Sequence, residues 1–142
     1  MVEISPEKLV KEFFEKEADR PRIIKKDLEE FVKKTLSRGR ITVTQIRRHY
    51  NYFLDVYQEA NAGGSFSGDH QLRLAMEKVY LMYDLSRGNI NDLFKDFVVS
   101  LINSVKDLDT LKLAKRLFEG FVGYSKFYEE KNKQERRNRG RR

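Results

Sequence analysis

The apolar positions of this chain repeat with helical spacing almost throughout. The first predicted helix starts at Ser5-Pro6, a capping residue followed by a proline at the first helical position. Its apolar face consists of Leu9, Val10, Phe13 and Phe14. Arg20-Pro21 is expected to end this helix, because the residue before a proline avoids helical backbone. A second short helix is predicted through Leu28, Phe31, Val32 and Leu36.

The third predicted helix carries two separate faces. It starts at Thr42 or Thr44, either of which is able to cap the first turn. Its predicted buried face consists of Ile46, Tyr50, Phe53, Leu54 and Tyr57. Helical spacing gathers a polar and aromatic stripe elsewhere, formed by Gln45, Arg48 and Tyr52, with Arg47 and Asn51 beside them.

Three further helices follow a glycine-rich loop at residues 62–68. The fourth is expected to be central, because apolar residues cover more than half of its circumference: Leu72, Ala75, Met76, Val79, Tyr80 and Tyr83. Asn89 or Asn91 is expected to cap the fifth helix, and Asp107 or Asp109 the sixth. Gly120 and Gly123 weaken the sixth helix and predict that another backbone approaches it closely.

These elements predict an all-α fold, a compact bundle of about five to six helices with a disordered basic C-terminal tail. We divide it into an N-terminal helical segment (residues 1–36), a helical bundle core (residues 37–130) and the tail (residues 131–142). The tail is expected to be disordered because it has no apolar residue to bury.

Positive charge is concentrated in two places. The formal net charge is +7, yet residues 1–36 are neutral and residues 49–130 carry three more acidic than basic side chains. Residues 37–48 contain four arginines and no acid, and residues 131–142 contain seven basic side chains and one acid. Localised basic charge next to aromatic residues indicates a polyanionic partner, most often nucleic acid.

The composition argues against several other classes of protein. The chain has no cysteine, which excludes disulfides and thiolate metal sites and agrees with a cytoplasmic location. No apolar stretch is long enough to span a membrane, and the N-terminus has no apolar core of a secretory signal. His49 and His70 have no ligand partner at metal-binding spacing, and no serine has a base placed near it. We therefore expect no enzyme activity, no catalytic residue, no metal and no cofactor.

The start of the third helix is the candidate nucleic-acid site. Arginine guanidinium groups contact phosphate through two donors, and a helix N-terminus attracts phosphate. A tyrosine beside them is suited to stacking on a base or ribose, and a lysine flanked by aromatics lies near the end of the sixth helix. The candidate contacts are Arg38, Arg40, Thr44, Gln45, Arg47, Arg48, Tyr52 and Lys126. The alternative is that the arginines pair with acids of neighbouring helices and only hold the bundle together.

Three segments together resemble one family, the small subunit of type III-A CRISPR interference complexes (Csm complexes). Residues 42–47 (TVTQIR) look like its helix start, residues 72–88 are similar to its central helix, and residues 118–128 (FEGFVGYSKFY) look like its closing helix. The resemblance covers roughly residues 38–131. Gln45 stands where lysine is frequent in the family, and Arg48 is the candidate to compensate.

The resemblance implies a non-catalytic helical protein that supports antiviral defence. Several copies would form the inner filament of the complex and contact the backbones of guide RNA and target RNA. Other subunits of the complex would be its protein partners, and target cleavage would belong to one of them. Arg47 and its neighbours, and more weakly Lys126, would face the RNA.

Self-association is also expected, with a homodimer in isolation. The chain has more aromatic helical surface than one small bundle readily hides, including Phe13, Phe14, Phe94, Phe97, Phe118, Phe121 and Phe127. The Gly63–Gly68 loop is a candidate hinge for exchanging helices between copies. Two alternatives stay open: a free-standing helical nucleic-acid-binding module that prefers duplex DNA, and a protein-binding adaptor with an incidental tail.

Overall fold

The computed structural model describes residues 4–140, and all regular structure in that range is helical. The long elements are α1 (Pro6–Glu15), α3 (Leu28–Ser37), α4 (Val43–Gly63), α5 (Gly68–Ser86), α6 (Asp92–Ser104) and α7 (Leu108–Gly140). Between α1 and α3 lie a 3-10 turn (Glu17–Asp19), the single turn α2 (Arg20–Arg22) and a π-helical turn (Ile23–Asp27). The all-α prediction is confirmed.

Side-chain caps define where the helices begin. The Lys8 backbone N–H donates to Ser5 Oγ (3.1 Å), as the sequence predicts. Of the paired candidates, the structure selects Thr42 for α4 and Asn91 for α6, each accepting a backbone N–H three residues later (3.2 and 3.1 Å). Asp107 accepts from the Thr110 backbone N–H (2.8 Å) at the start of α7. These caps satisfy donors that have no partner inside the helix.

The prediction that Arg20-Pro21 ends the first helix is wrong. Helix α1 ends earlier, at Glu15, and Pro21 lies in the first turn of α2, where its missing N–H costs nothing. Arg20 instead folds back on α1, since its Nε donates to the Phe13 carbonyl (2.8 Å) and its Nη2 to the Phe14 carbonyl (3.1 Å). The arginine thereby satisfies two terminal carbonyls of α1 and turns the chain.

Four phenylalanines in mutual ring contact form the centre of the core. Phe94 and Phe97 of α6 meet Phe118 and Phe121 of α7, with ring centroids 4.9 to 6.2 Å apart, and all four are fully buried. Helix α1 packs on α6, so the N-terminal segment shares this core. The phenylalanines that were predicted to exceed what one small bundle hides are thus mostly buried within one chain, and of that set only Phe127 is exposed.

Helix α5 faces the opposite way from the prediction. The side chains expected to be central are outside, with Leu72, Val79 and Tyr83 all more than half exposed. The buried face instead carries Leu74, Glu77, Leu81 and Asp84. Two acids lie on the inner face because a buried histidine of α4 pairs with both of them, as described below. That ion pairing, which apolar periodicity does not register, decides the rotation of the helix.

The two glycines of α7 differ in their surroundings. A Cβ added at Gly120 would lie 2.8 Å from Leu28 Cδ2 of α3, so the predicted close approach is present there, although the neighbour is a side chain and not a backbone. A Cβ added at Gly123 would meet nothing within 4 Å. The prediction of a close approach is therefore wrong for Gly123.

Helix α7 continues past the core into the predicted tail. Every side chain from residue 131 to residue 140 is exposed, in agreement with a segment that buries nothing. Its backbone nevertheless stays helical to Gly140. Arg141 and Arg142 lie outside the described residues.

Candidate nucleic-acid interface

The first turns of α4 present two polar faces to two different neighbours. Thr44, Arg47 and Asn51 are spaced i, i+3 and i+7 and turn toward the later part of α7. Gln45, Arg48 and Tyr52 follow the same spacing one residue later. Arg48 and Tyr52 make their hydrogen bonds to α5.

A surface groove lies where the first of these faces meets α7. It has a volume of about 380 Å³, and we call it the α4–α7 groove. Its lining residues are Val43, Thr44, Arg47, Arg48, Asn51, Lys126 and Glu129. Four of the eight predicted contact residues, Thr44, Arg47, Arg48 and Lys126, are thus brought together although Lys126 is far from the others in sequence.

Arg47 is the cation in this groove that is most available to a ligand. It is exposed, and among residues 4–140 it makes no ion pair or hydrogen bond through its side chain. Lys126 is also exposed, with its Nζ 3.8 Å from a Glu130 oxygen, an interaction that is weak in water. Glu129 is the acid of the groove, and its carboxylate lies 3.3 Å from Lys133 Nζ.

Arg48 occupies a different position, at the edge of a buried ion network. Its Nη2 donates to both oxygens of Asp84 (3.3 and 3.4 Å). His49 Nε2 donates to Asp84 Oδ2 (2.6 Å), and His49 Nδ1 donates to Glu77 Oε1 (2.8 Å). His49, Glu77 and Asp84 are all buried. Both ring nitrogens have protons to donate when the imidazole is charged, so the histidine joins α4 to two turns of α5.

The network shifts the acid–base equilibria of its members. Burial alone lowers the pKa of His49, but hydrogen bonds and negative charge from Glu77 and Asp84 outweigh it, and the pKa is raised above 6.5. Burial raises the pKa of Glu77 above 4.5, partly opposed by His49. Glu77 Oε2 has no hydrogen-bond partner within the described part of the chain. The other donors and acceptors of the network are occupied by one another, and no cluster of side chains within residues 4–140 is arranged to hold a metal ion.

The other predicted contact residues lie outside the groove. The Tyr52 hydroxyl donates to the Arg73 carbonyl (2.9 Å), and its ring packs edge-on against Tyr80, which ties it to α5. Gln45 is half-buried, and its buried Oε1 has no partner among the described residues. Arg38 and Arg40 are exposed on the loop between α3 and α4.

That loop has a defined shape. The Asn91 side-chain amide donates to the Thr35 and Gly39 carbonyls, both at 2.9 Å. Gly39 and Arg40 both adopt left-handed backbone, with φ of 75° and 52°. Left-handed backbone is unfavourable for arginine, so the anchored loop holds Arg40 in place against this preference.

The groove combines the features that bind phosphate groups. Guanidinium and ammonium groups line it, a threonine hydroxyl is exposed within it, and it lies beside the positive N-terminal end of α4. The arrangement is therefore suited to holding an anion at the surface of a helical bundle.

No described helix has the length and apolar character needed to cross a membrane.

Comparison with protein families identifies the chain. The family model described as Csm2 Type III-A matches residues 18–131, which is most of the sequence. The chain belongs to the Csm2 Type III-A family. No curated protein and no solved structure matches the chain.

Membership makes this Csm2 protein a subunit of a type III-A CRISPR complex and implies that it associates with the other Csm subunits. The Csm2 family is a structural small subunit and not a known catalytic one. The family match begins at residue 18, earlier than the resemblance read from the motifs, so it includes α3.

The ion network at the base of this candidate interface was not predicted from the sequence. Two signals for it were present: His49 falls between Ile46 and Phe53 on the buried face of α4, and Glu77 and Asp84 are seven residues apart on one face of α5. A histidine in an apolar stripe opposite two acids at helical spacing indicates a buried ion network.

Proposed function

We propose that this Csm2 protein is a non-catalytic RNA-binding subunit, present in several copies as the inner filament of its complex. It contacts the backbones of guide and target RNA through the α4–α7 groove. The observation that carries this proposal is the convergence of Arg47 and Arg48 with Lys126, from separate helices, on one groove. Base reading is left to RNA pairing, because backbone contacts position a strand without reading its sequence.

The availability of Arg47 supports this proposal over a purely structural role for the arginines. Arg48 does pair with a neighbouring helix, as the structural alternative requires, and its contact with Asp84 is part of the network that holds α4 on α5. Arg47 has no such contact among the described residues. We therefore expect Arg47 and Lys126 to bind phosphate, and Arg48 chiefly to hold the helix in position.

The experiment measures binding of the purified protein to single-stranded RNA, RNA duplex and DNA duplex at about 0.1 M salt. The test variant is Arg47→Ala/Lys126→Ala, and the matched control is Lys78→Ala/Lys112→Ala, which removes the same charge from exposed positions outside the groove. Two lost phosphate contacts reduce affinity for single-stranded RNA roughly tenfold. The control is expected to bind like the wild type.

Other outcomes would favour the alternative functions. Tighter binding to DNA duplex than to RNA, with sequence preference, would favour a free-standing DNA-binding module. Equal RNA binding by the test and control variants would mean that the groove is not the RNA site. Together with complete loss of binding by a chain ending at Glu130, it would favour the adaptor function.

We further propose that copies of the chain associate through the outward face of α5. Leu72, Met76, Val79 and Tyr83 form a continuous stripe on this face and are 38 to 62% exposed. A stripe of large apolar side chains on one helix is typical of a protein-binding surface. Helix-to-helix contact between two copies would remove it from water.

Sedimentation equilibrium tests this association. Wild-type protein is expected to exceed the monomer mass at high concentration, and Val79→Glu is expected to stay monomeric because it places a charge in the stripe. The control Gln71→Glu adds the same charge to α5 at an exposed position outside the stripe and should associate like the wild type. Monomeric wild-type protein would contradict the proposal.

A further inference from the structure

The exposed end of α7 carries a second basic groove that adjoins the first. Lys133 and Arg136 line it together with Thr42 and Val43 at the start of α4, and its volume is about 250 Å³. Val43 and Glu129 line both grooves, so the two form one continuous surface. The family match ends at residue 131, which leaves Lys133 and Arg136 outside it.

The charges along this surface favour an extended anion. Five basic side chains line the two grooves against a single acid, Glu129. Lys133 Nζ lies 3.3 Å from Glu129 and 4.0 Å from Glu130, so it partly neutralises these acids. Arg136 has no side-chain partner among residues 4–140 and is exposed. Arg136 therefore resembles Arg47 in its availability to a ligand.

We propose that Lys133 and Arg136 bind the phosphate backbone of the strand held in the α4–α7 groove. The RNA-binding surface would then extend beyond residue 131, where the family match ends. From Lys126 to Arg136 the helix rises about 15 Å, the length of roughly four nucleotides of a stacked strand. The inference rests on the proposed RNA-binding function and extends it to the segment read from sequence as a disordered tail.

A simpler explanation of Lys133 and Arg136 is helix stabilisation. Basic side chains near a helix C-terminus interact favourably with its dipole. That effect depends on position along the helix and not on which face a side chain occupies. Lys131 and Arg137 belong to the same segment but line neither groove, so they separate the two explanations.

The test compares Lys133→Ala/Arg136→Ala with the control Lys131→Ala/Arg137→Ala in the full chain. Both variants remove two positive charges from exposed positions, and neither disturbs the core. We measure binding to a 20-nucleotide single-stranded RNA at about 0.1 M salt, together with helix content by circular dichroism. The groove-facing variant should lose roughly tenfold in affinity, and the control should lose less than about threefold.

The outcomes distinguish this inference from the function on which it rests. Equal loss in both variants would overturn the inference, because it would show general charge attraction by the tail. No loss in either variant would also overturn it, while a loss with Arg47→Ala/Lys126→Ala would leave the proposed function standing. A selective loss with Lys133→Ala/Arg136→Ala, at unchanged helix content, supports the extended path.

Discussion

At the scale of single residues, His49 is the side chain on which the candidate interface depends most. It lies one residue from Arg48 and two from Arg47, and it links α4 to Glu77 and Asp84 of α5. Together with the buried apolar side chains of α4, such as Ile46 and Phe53, this contact fixes the rotation of α4 that turns Arg47 toward α7. The sequence predicted of His49 only that it lacks partners for a metal site. In the structure His49 helps to position Arg47 and Arg48.

Replacing His49 with glutamine should destabilise the fold strongly. The change leaves buried Glu77 without a cation and buried Asp84 with Arg48 alone, and breaking a buried ion pair in this way costs about 3–5 kcal/mol. Urea unfolding followed by circular dichroism measures the loss. His70→Gln should cost much less, because a glutamine at this position of the capping box of α5 can keep the contact with Ser67 and only the ring contact with Phe66 is lost. Equal losses for the two variants would mean that the network contributes little.

The same network makes stability depend on pH. The pKa of His49 is raised above 6.5 in the folded protein, so its contribution is fully present below that pH and is lost as pH rises through the folded value. The raised pKa of Glu77 acts in the same direction. The groups that face His49 are Glu77 and Asp84 from α5, with Arg48 beside Asp84 and the apolar Phe94 ring of α6 nearby.

We therefore expect the urea midpoint to fall between pH 6 and pH 9. The range stops at pH 9 so that Tyr50 and Tyr52, whose pKa values burial raises above 10, stay neutral. His49→Gln should show a much smaller fall, and His70→Gln should behave like the wild type. A midpoint that rises over this range in the wild type would contradict a charged His49.

At the scale of elements, apolar periodicity was a more reliable guide to the existence of each helix than to the rotation of the helix about its own axis. Capping residues and apolar spacing located all six long helices, because both are local properties of the chain. The rotation of α5 was not predictable in this way. Its inner face is chosen by pairing between Glu77, Asp84 and His49, which are distant in sequence.

The glycines of α7 provide a matched pair for testing how closely α3 and α7 pack. Gly123→Ala should stabilise the protein by about 0.5–1 kcal/mol, since alanine favours helix and the new Cβ meets nothing. Gly120→Ala should give no gain or a loss of about 1 kcal/mol, because its Cβ would press on the buried Leu28. Thermal unfolding of both variants checks this, and equal stabilisation would show that Leu28 moves freely.

At the scale of the whole molecule, parts of the two basic segments that are separate in sequence form one surface, with Arg47 and Arg48 from the first and Lys133 and Arg136 from the second. Both segments are visible in the sequence as concentrations of arginine and lysine. Their proximity is not visible there, because it depends on how α4 packs against the later part of α7. The same packing leaves Tyr52 and Gln45 outside the groove, although helical spacing places them beside Arg48.

The central claim is that the α4–α7 groove holds an RNA backbone, and the salt dependence of binding tests it most directly. For single strands, each lost phosphate contact reduces the slope of log K against log salt by about 0.7. Arg47→Ala/Lys126→Ala should therefore reduce the slope for single-stranded RNA by about 1.4, while Lys78→Ala/Lys112→Ala leaves it unchanged. Identical slopes for the two variants would contradict the claim.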